Sequence, residues 1–311
     1  MIPFADGHCD FLYGMAFQGY SLSGNRARYQ NMTLDGLKKG GVALQFFAAW
    51  TDTSMRMPCC QQFLTMLDAY GRMLEDNDTL IPLQGGDAPS CAGDGKIRTV
   101  LTIEGAESIE GSLALLRQYK RMGVAAATLT WNENNELAGA ALARGNKGLT
   151  SLGRDVVREM ERIGMALDVA HLSDRAIEEA LDMTEMPVFA SHTNCRAVFD
   201  SPRSLPDALI RRIASRGGTI GINFYNKQLT KYHEACIADI VAQVRHLADV
   251  GGIGCCAIGS DFDGMPVYPR DLRDSGDLQA LAEALRNAGF KDEELTRMLF
   301  TNLWEYIRQF V

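Results

Sequence analysis

No lysine- or arginine-rich run occurs anywhere in this chain, and its formal net charge at pH 7 is −8. Phosphate binding needs a basic patch, so this balance argues against nucleic acid as a partner. No apolar stretch is long enough to span a bilayer. The first residues, Ile2-Pro3-Phe4-Ala5, run straight into Asp6-Gly7-His8 with neither a basic segment nor an apolar leader. Arg308-Gln309-Phe310-Val311 carries no anchoring signal. A cytoplasmic protein with no membrane partner is therefore expected. There is no C-x-x-C motif either. Cys59-Cys60 and Cys255-Cys256 are adjacent pairs, so the eight cysteines do not spell a zinc framework. They read as free thiols, several of them buried as small hydrophobes.

What the chain does have is an ordinary globular composition, 46% hydrophobic and 23% charged. Eight apolar runs follow one another: Ile2–His8, Val42–Trp50, Thr99–Glu104, Ala125–Trp131, Ala166–His171, Val188–His192, Thr219–Phe224 and Cys256–Asp261. Most are nearly continuous rather than alternating, as strands buried on both faces of a parallel sheet read. Helical segments separate them. Ser151 is placed to cap a helix carrying Val156, Val157, Met160 and Ile163, stopped by Gly164. Ser173 precedes Ala176, Ile177 and Ala180 in the same way. Ser204-Leu205-Pro206-Asp207 opens a helix with Leu209, Ile210 and Ile213, ending before Gly217-Gly218. From Asp292 the chain presents Leu295, Leu299, Leu303 and Ile307 on one face.

Strand and helix alternating eight times predict a (β/α)8 TIM-type barrel, and about 250 residues suffice for one. One barrel domain over residues 1–311 is expected, with an open doubly wound sheet as the alternative. The stretches 20–39 and 76–95 are less regular. The second is turn-rich around Gly85-Gly86-Asp87 and Gly93-Asp94-Gly95, and both read as loops around helices.

Histidine is scarce: the chain has five, and His8, His171 and His192 each sit at the end of a strand run. Asp10, Glu104 and Asp261 occupy the same kind of position. A closed parallel barrel would gather these ends on one rim. Three imidazoles and three carboxylates gathered there make a metal site, and one suited to a two-metal hydrolase. His8 and Asp10 lie two apart and so face the same way on a strand, with Cys9 packed on the other side. Glu104 follows Leu101-Thr102-Ile103, where a charge is uncommon unless paired or metal-bound. Its two oxygens can bridge two cations. Imidazole with carboxylate suits zinc, and manganese or iron less strictly. Asp263 is assigned to the turn after Asp261, and Asp168 is a candidate partner for a ligand histidine. His233 and His246 look like surface or packing residues.

Taken together, Asp-Gly-His-x-Asp from Asp6, Glu104-Gly105, Ala-His-Leu-Ser around His171, Ser-His-Thr-Asn-x-Arg-Ala-Val around His192 and Gly-Ser-Asp-Phe-Asp-Gly around Asp261 resemble the membrane (renal) dipeptidase family of zinc peptidases. Asn223-Phe224-Tyr225 and Pro202-Arg203-Ser204-Leu205-Pro206-Asp207 are also similar to family patterns, so the resemblance runs over nearly the whole chain. It implies a (β/α)8 barrel with two Zn2+ per chain, other divalent metals being possible. His8 and Asp10 would bind one ion, His171 and His192 the other, and Glu104 would bridge them. Asp261 would be the acid/base residue beside a bridging hydroxide that attacks a dipeptide amide. Arg203 would pair with the substrate's terminal carboxylate, and a D-residue there is compatible with the resemblance. Trp131, a candidate substrate-binding residue, stands where animal members carry a substrate-binding histidine, a departure that bears on substrate choice and catalytic rate and leaves the metal ligands untouched. A homodimer is also implied. The competing readings are a related metal-dependent amidohydrolase acting on N-acyl amino acids or lactams, and a barrel that binds metal and ligand without catalysis.

Overall fold

In a computed structural model, which describes residues 1–231 and 234–311, the apolar runs form parallel strands. These are β1 (Phe4–Asp6), β2 (Val42–Trp50), β3 (Leu80–Pro82), β4 (Ile97–Glu104), β5 (Val124–Thr128), β6 (Ala166–Asp168), β7 (Ala190–Thr193), β8 (Ile220–Ile222) and β9 (Cys256–Ile258). The order around the sheet is β6-β5-β4-β2-β1-β9-β8-β7. Between β6 and β7 the Val169 amide donates to the Phe189 carbonyl at 2.8 Å, and the Phe189 amide donates to Leu167 at 3.2 Å. That bridge brings the two ends together, and the fold is a (β/α)8 TIM-type barrel, as expected. Of the histidines read from the sequence, His233 lies outside the described residues. No helix among the described residues is long and apolar enough to cross a membrane.

Several strands are shorter than the apolar runs that announce them. β1, β5, β6, β8 and β9 end two or three residues early, because the backbone turns at the rim. His171 and Asp261 take left-handed φ values of 67° and 62°, which a regular ladder cannot accommodate. β3 is absent from the sequence reading. It pairs with the start of β4, Leu80 opposite Ile97, inside the turn-rich stretch read as loop.

The helix Ser151–Ile163 is capped one residue earlier than expected, by Thr150, whose hydroxyl accepts from the Gly153 amide at 3.0 Å. Gly164 ends it in the left-handed conformation. Ser173 caps the helix Asp174–Met183 as expected, accepting from the Ala176 amide at 3.1 Å. The helix Asp207–Ser215 buries Leu209, Ile210 and Ile213. The C-terminal segment is helical from Asp292 but passes through a π-turn at Arg297–Thr301. It buries Trp304 and Tyr306 as well as the predicted leucines. Asn302 donates to the Ile253 and Cys256 carbonyls, and the Tyr306 hydroxyl to Pro187. All of these mark the N-terminal ends of strands, so this segment closes the barrel opposite the rim.

Close strand packing beneath the rim depends on small residues. A Cβ added to Gly259 or Gly221 would lie 1.8 or 2.0 Å from the Ser191 carbonyl oxygen, so only glycine fits. Asp6, fully buried, accepts from the Ser260 amide (2.8 Å), the Ser260 hydroxyl (2.6 Å) and the Gln45 side chain (3.0 Å). It thereby ties β1 and β2 to the residues after β9 under the His8 end.

Candidate metal centre

The six residues converge at the C-terminal rim. Glu104 is the last residue of β4, and His192 lies inside β7. His8 and Asp10 follow β1, His171 follows β6, and Asp261 follows β9. All but Asp10 are buried, and its side chain is only slightly open.

Glu104 lies at the centre. Its Oε1 is 2.9 Å from His171 Nε2 and 3.5 Å from His192 Nε2, while its Oε2 is 3.6 Å from His8 Nε2. His8 Nε2 is also 3.4 Å from Asp10 Oδ2 and 4.0 Å from Asp261 Oδ1. The two carboxylate oxygens thus face two groups of donors. One group is His171 and His192; the other is His8, Asp10 and Asp261. Two sets of potential ligand atoms lie within 4.8 Å of one another, His8 with Glu104 and His192, and His8 with Asp10 and Asp261.

The electrostatics favour a bound cation. Burial pushes the Glu104 carboxyl well up, with Asp10 adding to the effect. Burial likewise raises Asp261 to about 7, His8 opposing and Asp10 reinforcing the shift. Burial works against charge on His8 too, but Glu104, Asp10 and Asp261 override it and push its pKa to about 10. His171 and His192 are held well below the ordinary range by burial and by nearby positive groups, Arg203 and His8. These two rings are therefore neutral, as ligand imidazoles must be.

Hydrogen bonding gives a direct test of fit. His171 Nδ1 is 2.9 Å from Asn132 Oδ1, an acceptor, which places the ring proton on Nδ1 and leaves Nε2 with a lone pair. That lone pair faces Glu104 Oε1 and His192 Nε2, the latter at 2.9 Å. His8 Nε2 and Asp10 Oδ1 are buried without any hydrogen-bond partner. Facing lone pairs and orphaned polar atoms cost free energy unless a cation lies among them. The donor set, imidazole nitrogen with carboxylate oxygen, suits zinc.

Partners outside the six hold them in place. Asn132 orients His171, and the Ser191 hydroxyl lies 2.8 Å from His192 Nδ1. Asn223 donates to Asp261 Oδ2 at 2.9 Å, leaving Oδ1 toward His8. Asp168 does not touch a histidine ring. Its Oδ1 accepts from the Ala170 and Ser191 amides, both at 2.9 Å, so it braces the two segments that carry His171 and His192 instead. Asp263 belongs to the turn, where it accepts from the Asn31 and Met32 amides. His246 pairs with Asp207 at 2.8 Å, away from the centre.

A cavity of about 350 Å³ opens over this centre, lined by Asp10, Glu104, His171, His192 and Asp261, with His8 beneath. Arg203, expected from the resemblance alone, lines it and is buried, not a surface arginine. One guanidinium nitrogen donates to the His192 carbonyl at 3.2 Å, while Nε has no partner. Burial lowers its pKa to about 10, with Asp261 and Glu104 opposing that shift. Trp131 lies at the mouth, beside Trp50, Tyr13 and Leu142, with Tyr225 and Gln228 also lining the cavity. Of these, Trp50 had a sequence signal, as the final residue of a strand run. Tyr13 and Leu142 sit in segments whose path only the folded chain defines.

The chain is also similar to known proteins. A family model described as membrane dipeptidase, peptidase family M19, matches residues 1–310. An uncharacterised dipeptidase of Schizosaccharomyces pombe is 36% identical over 211 residues, 67% of this chain and 52% of that protein. Dipeptidase 3 of Mus musculus is 29% identical over 326 residues, 99% of this chain and 64% of its own. This chain thus spans between about half and two thirds of the length of these relatives. Among solved structures, a family M19 metallopeptidase called dipeptidase AC superposes with a TM-score of 0.91 at 24% identity, covering 99% of this chain and 98% of its own. A metallopeptidase from Rhodobacter sphaeroides, solved with a phosphinate mimic of the dipeptide L-Ala-D-Ala, gives 0.90 at 23% identity over 100% of this chain and 99% of its own.

Proposed function

The chain belongs to the membrane dipeptidase family, peptidase family M19, and from that footing we propose that it is a metal-dependent dipeptidase carrying two zinc ions. The observation that carries this reading is the placement of Glu104 between His171 and His192 on one oxygen and His8 on the other. In this reading His8 and Asp10 hold one ion, His171 and His192 the other, and Glu104 both. Bound there, the cations would polarise the amide carbonyl and acidify a water.

The protein's own groups do the rest. Asp261, held by Asn223 through Oδ2, keeps Oδ1 free to take a proton and return it to the leaving amine. Arg203, with its unpartnered Nε beside the cavity, would hold the free carboxylate of the substrate. A carboxylate anchor so near the cleavage point confines cleavage to the bond before the carboxyl-terminal residue. The family likeness favours substrates with a D-residue at the carboxyl end, and a homodimer in solution.

Purified protein loaded with zinc should hydrolyse members of a dipeptide panel that includes L- and D-residues at the carboxyl end. The panel should also hold N-acyl amino acids, whose carboxylate would suit Arg203 equally. Preferred cleavage of the latter would move the assignment to an amidohydrolase. No cleavage of either, with two ions bound, would leave a binding barrel.

A further inference from the structure

The mouth of the cavity has two unlike walls. On one side, Tyr13 packs against Trp50 with ring centroids 5.0 Å apart, and Trp50 against Trp131 at 4.9 Å, both edge to face. Leu142 also lines the cavity. Trp131 and Leu142 keep 38% and 50% of their surface open, so large apolar area faces the cavity without a cover. The rest of the lining includes Arg203 after β7, Tyr225 and Gln228 after β8, and Asp261 after β9.

Strand order fixes how far apart these walls are. Trp50 ends β2, and Arg203 lies beyond β7. In the order β6-β5-β4-β2-β1-β9-β8-β7, closed between β6 and β7, those two strands are four apart in either direction. By strand order Trp50 and Arg203 stand across the mouth from each other, while Trp131, which follows β5, is two strands from β7 and meets Trp50 beyond the Glu104 end of β4. A dipeptide with its carboxylate on Arg203 and its amide over the centre must direct its amino-terminal residue toward the tryptophans.

We infer that the site selects dipeptides whose amino-terminal residue carries an aromatic or large aliphatic side chain. The inference rests on the dipeptidase reading above and adds the substrate class. Covering exposed indole with an apolar side chain is favourable in proportion to the area removed from water, and edge-to-face aromatic contact adds to it. A glycine leaves that area wet, and a carboxylate side chain gains no partner on this wall.

The test compares kcat/KM of the zinc-loaded protein on Phe–Ala, Leu–Ala, Gly–Ala, Glu–Ala, Ala–Phe and Ala–Gly. Phe–Ala and Leu–Ala should exceed Gly–Ala and Glu–Ala by about tenfold or more, the range expected for apolar discrimination. Ala–Phe and Ala–Gly should differ much less. Trp131→Ala and Trp50→Ala should each bring the Phe–Ala to Gly–Ala ratio within about threefold, chiefly through KM, and Trp131→Phe should retain it. A flat ratio in the unmodified protein, or a ratio that survives both alanine variants, overturns the inference while leaving the dipeptidase reading intact. If no peptide is cleaved, that reading fails. The wall is then judged by Kd from tryptophan fluorescence: tighter binding of Phe–Ala than Gly–Ala supports it, and equal binding overturns it.

Discussion

His171 and His192 point their Nε2 atoms at each other across 2.9 Å, and Glu104 Oε1 lies within 2.9 and 3.5 Å of the same two atoms. Asn132 places the His171 proton on the far side of its ring. Two imidazole nitrogens and a carboxylate oxygen meeting in a buried space form a donor set suited to a divalent cation. This relationship ties the fold to its chemistry, because the three groups come from β4, β7 and the turn after β6.

Asp261→Asn should reduce turnover by about 10²–10⁴-fold, the usual contribution of a positioned acid/base group. The amide keeps the shape, and the Asn223 contact occupies only one of its two ends. Metal content measured on the same sample should stay at the unmodified level. Unchanged turnover would reject the acid/base role.

Arg203→Met should raise KM for dipeptides with a free carboxylate by about 10²-fold, as loss of one charge-assisted pair worth roughly 2–3 kcal/mol predicts. Peptide amides, which lack that charge, should lose far less. Steady-state kinetics on an acid and amide pair reads the difference. Equal losses on both would remove Arg203 from carboxylate binding.

Gly259→Ala should destabilise the barrel by about 3 kcal/mol or more, at the upper end of overpacking costs. The added methyl would overlap the Ser191 carbonyl, a backbone atom that cannot swing aside. Since Ser191 precedes His192, zinc affinity should fall with stability. Denaturant unfolding and a zinc titration check the two effects.

Away from the rim, Glu159 accepts from Arg162 and Arg117, which hold its carboxyl down to about 2. A depressed carboxyl stabilises the folded state above its unfolded value near 4.5, and that contribution disappears as pH falls from there toward 2. Both arginines are partly in solvent, so the contribution is on the order of 1 kcal/mol or less. The stability gap between the unmodified protein and Glu159→Gln should be present at pH 7 and close progressively below pH 4.5.

The barrel and the six central residues were legible because each signal is local. A buried strand writes itself as an apolar run, and a histidine or carboxylate at its end stands out in a chain with five histidines. The strand limits were less legible, since His171 and Asp261 leave the ladder through left-handed turns, and the enrichment of His and Asp in that conformation is too weak to mark where a strand ends. Thr150 and Ser151 are adjacent hydroxyls, and either could cap the helix. The side chains that orient the centre, Asn132 and Ser191, look like ordinary polar residues in sequence. Asn132 takes its role from a contact with His171 in another segment and Ser191 from one with its neighbour His192, while Asp168 is drawn instead to the Ala170 and Ser191 amides. The wall of Tyr13, Trp50 and Trp131 joins segments that meet only when the barrel closes.

The most direct test of the central claim is a metal count on purified protein after zinc loading and removal of free ion, made in parallel on Glu104→Ala. Two zinc ions per unmodified chain are expected, with loss from both positions in the variant and folding intact by circular dichroism. Two tightly held ions in Glu104→Ala, or none in the unmodified protein, would contradict the claim.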